Sequence, residues 1–136
     1  MFAVSLRDLA RFTKVLEYFV KEGYHEMESV MLALFFCYYC RFDQVEVREE
    51  FVDNLKQVAG IFTEFNEVKD RALKTIGKAI AQEDCIAMNL PLRENIFLIV
   101  VAIENQIPVI LTGPPGSSKT LSAKMVYKNM TGAKSD

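Results

Sequence analysis

Apolar residues recur at helical rather than strand spacing along most of the chain. Leu6, Leu9, Phe12, Val15, Leu16, Phe19 and Val20 fall three or four positions apart, which is one stripe of an amphipathic helix. Ser5 precedes that stripe as an N-cap, and Asp8, three residues on, offers a variant of the capping box; Gly23 supplies a stop. Arg7, Arg11, Lys14, Glu17 and Lys21 take the opposite face, with Glu17 and Lys21 at a favourable i, i+4 separation. A second helix is predicted from Glu26 to Arg41. Its middle, MLALFFCYYC, is apolar on every side, which predicts burial on more than one face. Two amphipathic helices follow, over 45–62 with the stripe Val47, Phe51, Leu55, Val58 and Phe62, and over 65–82 with Val68, Ala72, Leu73, Ile76 and Ile80. Gly60 and Gly77 interrupt them.

The pattern changes at 82–91. Gln82-Glu83-Asp84 and Asn89-Leu90-Pro91 punctuate the chain, and Pro91 is placed to open a helix over 92–106. Pro108 ends that helix. Val109-Ile110-Leu111 is a short, wholly apolar run of the kind that forms a strand buried on both faces. It leads into GPPGSSKT and a closing helix over 119–129. The resulting expectation is a mainly α chain with one short strand.

Composition narrows the function classes. With 136 residues and 51% hydrophobic content the chain is too apolar for a disordered tail. Sixteen Lys and Arg stand against eighteen Asp and Glu, so no basic excess points to nucleic acid or an anionic membrane. The longest apolar run, Val30 to Cys40, falls short of the ~20 residues that span a bilayer. The first residues have no basic leader ahead of Arg7 and Asp8, so no signal peptide is expected. Three cysteines fit a reducing, cytoplasmic setting better than a disulfide framework.

The one chemically explicit feature is Gly113-Pro114-Pro115-Gly116-Ser117-Ser118-Lys119-Thr120. It follows G-x-x-x-x-G-K-[ST] except that Ser118 stands at the second glycine, and it lies between an apolar run and a helix, the setting this loop requires. Such a loop wraps backbone N–H groups around phosphates, and the helix N-terminus behind it adds partial positive charge. Lys119 would reach the β- and γ-phosphates of ATP, and the Thr120 hydroxyl would ligate Mg²⁺. Leu121, next in the chain, completes the expected nucleotide-binding segment.

On these residues the stretch from Ile86 to Ala123 resembles the mysterin family, giant dynein-like AAA+ ATPases that also carry a RING-type ubiquitin ligase module. Arg93-Glu94-Asn95 at the opening of the apolar helix, the Ile107-Pro108-Val109 entry and the PGSSK core of the loop carry the match. The family loop has serine where most have glycine, so Ser118 agrees with it; Pro114 differs from the lysine expected there, and Thr120 keeps the hydroxyl. Ser5-Leu6-Arg7-Asp8-Leu9 and CYYCRF resemble the helical lid that ends one AAA+ module. In such lids this helix carries the sensor-2 arginine, and Arg7 is the matching position.

The resemblance implies a fragment of an α/β AAA+ P-loop protein. Residues 1–44 would be the lid of a preceding module, 45–88 a helical connector, and 89–136 the start of the next P-loop domain. It implies ATP and Mg²⁺ as cofactors, and the remainder of the AAA+ core or ring as partner. Ubiquitin machinery enters only through the family. No acidic DExx motif follows the loop within this chain, so hydrolysis by these residues alone is not expected.

Other candidates read as structural. Cys37 and Cys40 would share a helix face, but zinc needs four ligands and only Cys85 and His25 could join them. His25 reads as a surface residue after Gly23. Glu46, Glu49, Glu50 and Asp53 make a solvated face, and Ile107 and Pro108 flank the expected nucleotide pocket. A second function class stays open: a helical interaction fragment with a vestigial loop, docking a partner through residues 30–40 and 96–103. A third is a P-loop enzyme of another family.

Overall fold

The computed structural model describes residues 4–59, 65–80 and 86–132. Among them are six α-helices and a 3₁₀ turn: α1 Leu6–Lys21, α2 Glu26–Cys37, the turn Tyr39–Arg41, α3 Val45–Ala59, α4 Phe65–Ala79, α5 Leu90–Glu104 and α6 Lys119–Gly132. Gly60, Phe62, Gln82 to Asp84 and Cys85 lie outside the described residues. The chain divides into two compact units, residues 1–70 and 71–136.

In the first unit α1 packs on α2. The start of α1 is a full capping box: Asp8 N–H donates to Ser5 Oγ at 3.2 Å and Ser5 N–H donates to Asp8 Oδ2 at 3.1 Å. Its end is a Schellman motif. Gly23 takes φ +92°, its N–H reaches Val20 O, and Tyr24 N–H reaches Phe19 O at 3.1 Å. The Phe19 and Tyr24 rings meet edge to face across the motif, 5.6 Å apart. Only the middle of the predicted stripe is covered. Val15 and Phe19 are buried, whereas Leu6, Leu9 and Val20 are exposed, Leu6 to 85%.

The all-round apolarity of α2 has its expected consequence, since Met31, Leu32, Ala33, Phe35, Phe36 and Cys37 are all buried. The helix ends four residues before the predicted Arg41. Tyr38 leaves helical geometry at φ −126° and ψ −57°, and Arg41 N–H and Phe42 N–H tighten onto Tyr38 O and Tyr39 O. The tighter turn places Tyr39 in an aromatic cluster with Phe35, Phe51 and Phe65, at ring separations of 5.4, 6.2 and 5.5 Å. Arg48 lies 4.9 Å and Lys69 5.1 Å from the Tyr39 ring centroid, two cations over one aromatic face system.

The stripe of α3 needs a correction. Val52, not Val58, is the buried valine: Val52 is 6% exposed and Val58 is 88% exposed. The predicted spacing Val47, Phe51, Leu55, Val58 drifts off the buried face, and Val52, one position past Phe51, falls on it. On α4 the predicted stripe has Val68, Ala72 and Leu73 buried and Ile76 half-buried, and Ile80, just past the end of the helix, is buried as well.

In the second unit α5 packs on α6. Ile80, Leu92, Ile96, Met125 and Val126 form the buried cluster, with Ile76, Ile86, Met88, Ile99, Val100 and Leu121 packed against it. Helix α5 begins two residues before the predicted Leu92, because Asn89 Oδ1 accepts the Leu92 N–H at 3.0 Å and leaves Pro91 inside the first turn. It also ends two residues early, in a second Schellman motif. Gln106 takes φ +54°, its N–H donates to Ile103 O at 3.0 Å, and Ile107 N–H donates to Ala102 O at 2.8 Å.

The predicted strand is not formed. Val109–Leu111 has no regular structure, and Ile110 is 86% exposed. A strand exists by pairing its backbone with a neighbour, and no second strand is present among the described residues. No described helix is long and apolar enough to cross a membrane.

Candidate functional site

The loop between α5 and α6 is built by its own turn chemistry. Pro115 and Gly116 occupy the centre of a tight turn in which Ser117 N–H donates to Pro114 O at 3.3 Å. Gly116 has φ +82°, the value that position i+2 of a type II turn demands, and proline suits the position before it. A Cβ at Gly113 would meet Ser117 Oγ at 3.0 Å and Lys119 Nζ at 3.7 Å, so the loop folds closely onto this glycine.

Ser118 then takes φ +62°. This is the left-handed region, which costs a residue with a Cβ roughly 1–2 kcal/mol. The sequence places serine where the strict pattern has glycine, and the structure places that serine in glycine's conformation. Its carbonyl accepts the Ser122 N–H at 2.9 Å, so Ser118 directly feeds the first turn of α6.

Lys119 opens α6 and turns back into the loop. Its Nζ donates to Gly113 O at 2.6 Å, Pro114 O at 2.9 Å and Ser117 Oγ at 2.8 Å. An ammonium has three N–H donors, and these contacts use all of them. The cation is thereby held inside the arc of residues 113–117. Ser122 Oγ donates to Lys119 O at 2.7 Å, tying the same turn.

Thr120 is exposed on the next residue of α6, whereas Leu121 points into the apolar cluster and helps to anchor the helix. Gly113, Pro114, Pro115, Gly116, Ser117, Ser118, Lys119 and Thr120 are thus brought together. Arg7 lies exposed in the first turn of α1, in the first unit. Ile107 is half-buried and Pro108 exposed.

Asn95 was singled out in sequence only as part of Arg93-Glu94-Asn95. In the structure its Nδ2 donates to Ser117 O at 2.9 Å, joining α5 to the loop. A polar amide at the opening of a helix that is otherwise apolar from Ile96 to Ile103 was the available signal.

The remaining candidates are resolved by their surroundings. Cys37 closes α2 and Cys40 lies in the 3₁₀ turn, so they do not share a helix face. No group of three or more potential metal ligands exists among the described residues. His25 caps α2 through Nδ1, which accepts the Met27 N–H at 3.4 Å. Glu46, Glu49, Glu50 and Asp53 are exposed.

Residues 85–136 match the family described as the RNF213 AAA domain. The class is therefore that of the AAA+ proteins, represented here by a mainly helical stretch. Over 93% of its length the chain is 32% identical to "E3 ubiquitin-protein ligase rnf213-beta" of Danio rerio. Over 95% it is 30% identical to "E3 ubiquitin-protein ligase RNF213" of Homo sapiens and 31% identical to that of Mus musculus. The chain belongs to the RNF213, or mysterin, family. It spans about 3% of the length of each of these relatives. No solved structure matches it.

Proposed function

We propose that this chain is an ATP-binding stretch of a mysterin-type AAA+ ATPase, taking ATP·Mg²⁺ through residues 113–120. The observation that carries the reading is the ammonium of Lys119 held by the loop's own oxygens at the N-terminus of α6. Phosphate oxygens can replace Gly113 O, Pro114 O and Ser117 Oγ as acceptors, and the ammonium then becomes their counter-charge. The donor set suits the group: a cation, a glycine-lined arc and a helix N-terminus all favour an anion. Thr120, exposed on the first turn, is the hydroxyl that would ligate Mg²⁺. Bound ATP would supply the phosphoryl group; these residues bind and orient it.

Hydrolysis is assigned to the longer protein, together with the acid and the neighbour's arginine that phosphoryl transfer calls for. Arg7 would serve the nucleotide of a preceding module. The ligase activity in the relatives' names, and with it contact to ubiquitin machinery, would likewise belong to the whole protein. Its partner here is the rest of the AAA+ core, in a cytoplasmic setting that suits a chain with only three cysteines.

Calorimetric titration with ATP·Mg²⁺ tests the reading. Lys119→Ala is expected to weaken binding about 10- to 100-fold, the worth of hydrogen bonds to a charged group. Equal affinity of the two proteins overturns it. The competing docking role would use residues 30–40 and 96–103, of which Met31, Leu32, Phe35, Ile96, Phe97 and Val101 are buried, so ATP binding is the better supported reading.

A further inference from the structure

The hydrogen bond from Asn95 Nδ2 to Ser117 O spans 22 residues of sequence at 2.9 Å. A trans peptide is planar, with its C=O and the following N–H on opposite sides. No described peptide is cis. Drawing the Ser117 carbonyl toward α5 therefore aims the Ser118 N–H away from α5. The same peptide leads into Ser118 at φ +62°, a conformation that serine resists and glycine accepts. Successive N–H groups about such a residue, at the head of a helix, form the concavity that receives an anion.

We propose that Asn95 is a positioning residue of the phosphate loop. By holding the Ser117–Ser118 peptide it presents the Ser118 N–H to phosphate and compensates for serine at a glycine position. Lys119 binds the carbonyls of Gly113 and Pro114 and the hydroxyl of Ser117, but not the Ser117 carbonyl. The role rests on the ATP-binding reading for its ligand, and on geometry alone for its effect on the loop.

The test uses the full 136-residue chain as wild type, Asn95→Ala, Asn95→Asp, Ser118→Gly and the Asn95→Ala/Ser118→Gly double variant. Asn95→Asp keeps the side-chain shape but replaces the donor by an acceptor. Two readouts are taken: the affinity for ATP·Mg²⁺, and amide hydrogen exchange over residues 117–122 without nucleotide. Loss of the donor is expected to weaken ATP·Mg²⁺ about three- to tenfold, the worth of one neutral hydrogen bond. It is also expected to speed exchange at Ser117 and Ser122, whose N–H groups donate to Pro114 O and Ser118 O on either side of this peptide, with the melting temperature of the chain little changed.

With Ser118→Gly in place, the further loss caused by Asn95→Ala should fall below about twofold, a coupling that a merely structural asparagine would not show. Additive effects, or exchange unchanged in Asn95→Ala and Asn95→Asp, overturn the proposal. Should the wild-type chain take up no ATP·Mg²⁺, the ATP-binding reading fails, and the exchange measurements decide the role of Asn95 by themselves.

Discussion

Arg41 Nη2 donates to Asp8 Oδ1 at 2.7 Å, closing the first turn of α1 onto the turn that follows α2. Asp8 is the acid of the capping box, and Arg41 belongs to CYYCRF, so the start of α1 and the turn after α2 are joined by an ion pair. Phe12 and Tyr38 meet beside it, their ring centroids 6.3 Å apart. A single carboxylate therefore both caps a helix and fixes the partner segment.

The Arg41 guanidinium, then the backbone and hydroxyl of Ser5, hold the Asp8 carboxyl well below the usual carboxylate range. A depressed pKa makes a contribution to stability that is full above the ordinary value, near 3.9, and is lost as pH falls below it. Asp8→Asn keeps the cap's size and removes the charge. Its melting temperature is expected to lie below wild type at pH 7, with the gap narrowing steadily below about pH 4. A gap that is constant from pH 7 to pH 2 would show that the ion pair contributes nothing.

Gln106 closes the Schellman motif of α5 at φ +54°, where Gly23 closes that of α1. Relief of a left-handed side chain is worth roughly 1–2 kcal/mol, and the greater freedom of glycine in the unfolded chain returns about 0.4–1 kcal/mol of that. Gln106→Gly should therefore stabilise the chain by about 0.5–1 kcal/mol in urea unfolding. Destabilisation would mean that the glutamine side chain makes a contact worth more than its strain.

Much of this was legible in the residues themselves. Ser5, Asp8 and Gly23 mark the ends of α1 because caps and C′ glycines are local chemistry, and Pro115-Gly116 marks its turn for the same reason. The family resemblance rested on short motifs and was matched over 85–136. What escaped depends on packing at a distance. Cys37 and Tyr38 look alike to any helix rule, and only the pull of Tyr39 into the ring cluster and of Arg41 toward Asp8 ends α2 where it does. Ile110 reads as a strand by composition, but composition cannot supply the neighbour that a strand needs. Asn95 gave no reason in sequence to meet Ser117, since a hydrogen bond across 22 residues is set by how α5 packs on α6.

The register of α3 separates two valines of equal intrinsic character. Val52→Ala removes buried methyl groups and should cost about 1–3 kcal/mol, whereas Val58→Ala, on the solvent face, should stay within about 0.5 kcal/mol. Urea unfolding of the two variants checks this. The reverse order would restore the stripe through Val58 and displace Val52 from the core.

Burial pushes the Cys37 thiol up to about 11, against the lesser opposing pull of Arg41 and Arg11. The thiolate is the nucleophile, so two units above the ordinary value leave about a hundredfold less of it at pH 8. Iodoacetamide should therefore label Cys37 more slowly in the folded chain than in urea, by about tenfold or more, and occlusion by its neighbours adds to the difference. Protection that vanishes in urea identifies Cys37 as core. Fast labelling in the folded chain, or ready closure of a disulfide with Cys40, would instead mark the two thiols as an accessible pair. In that case α2 could not end, as it does here, with Cys37 inside and Cys40 on a separate turn.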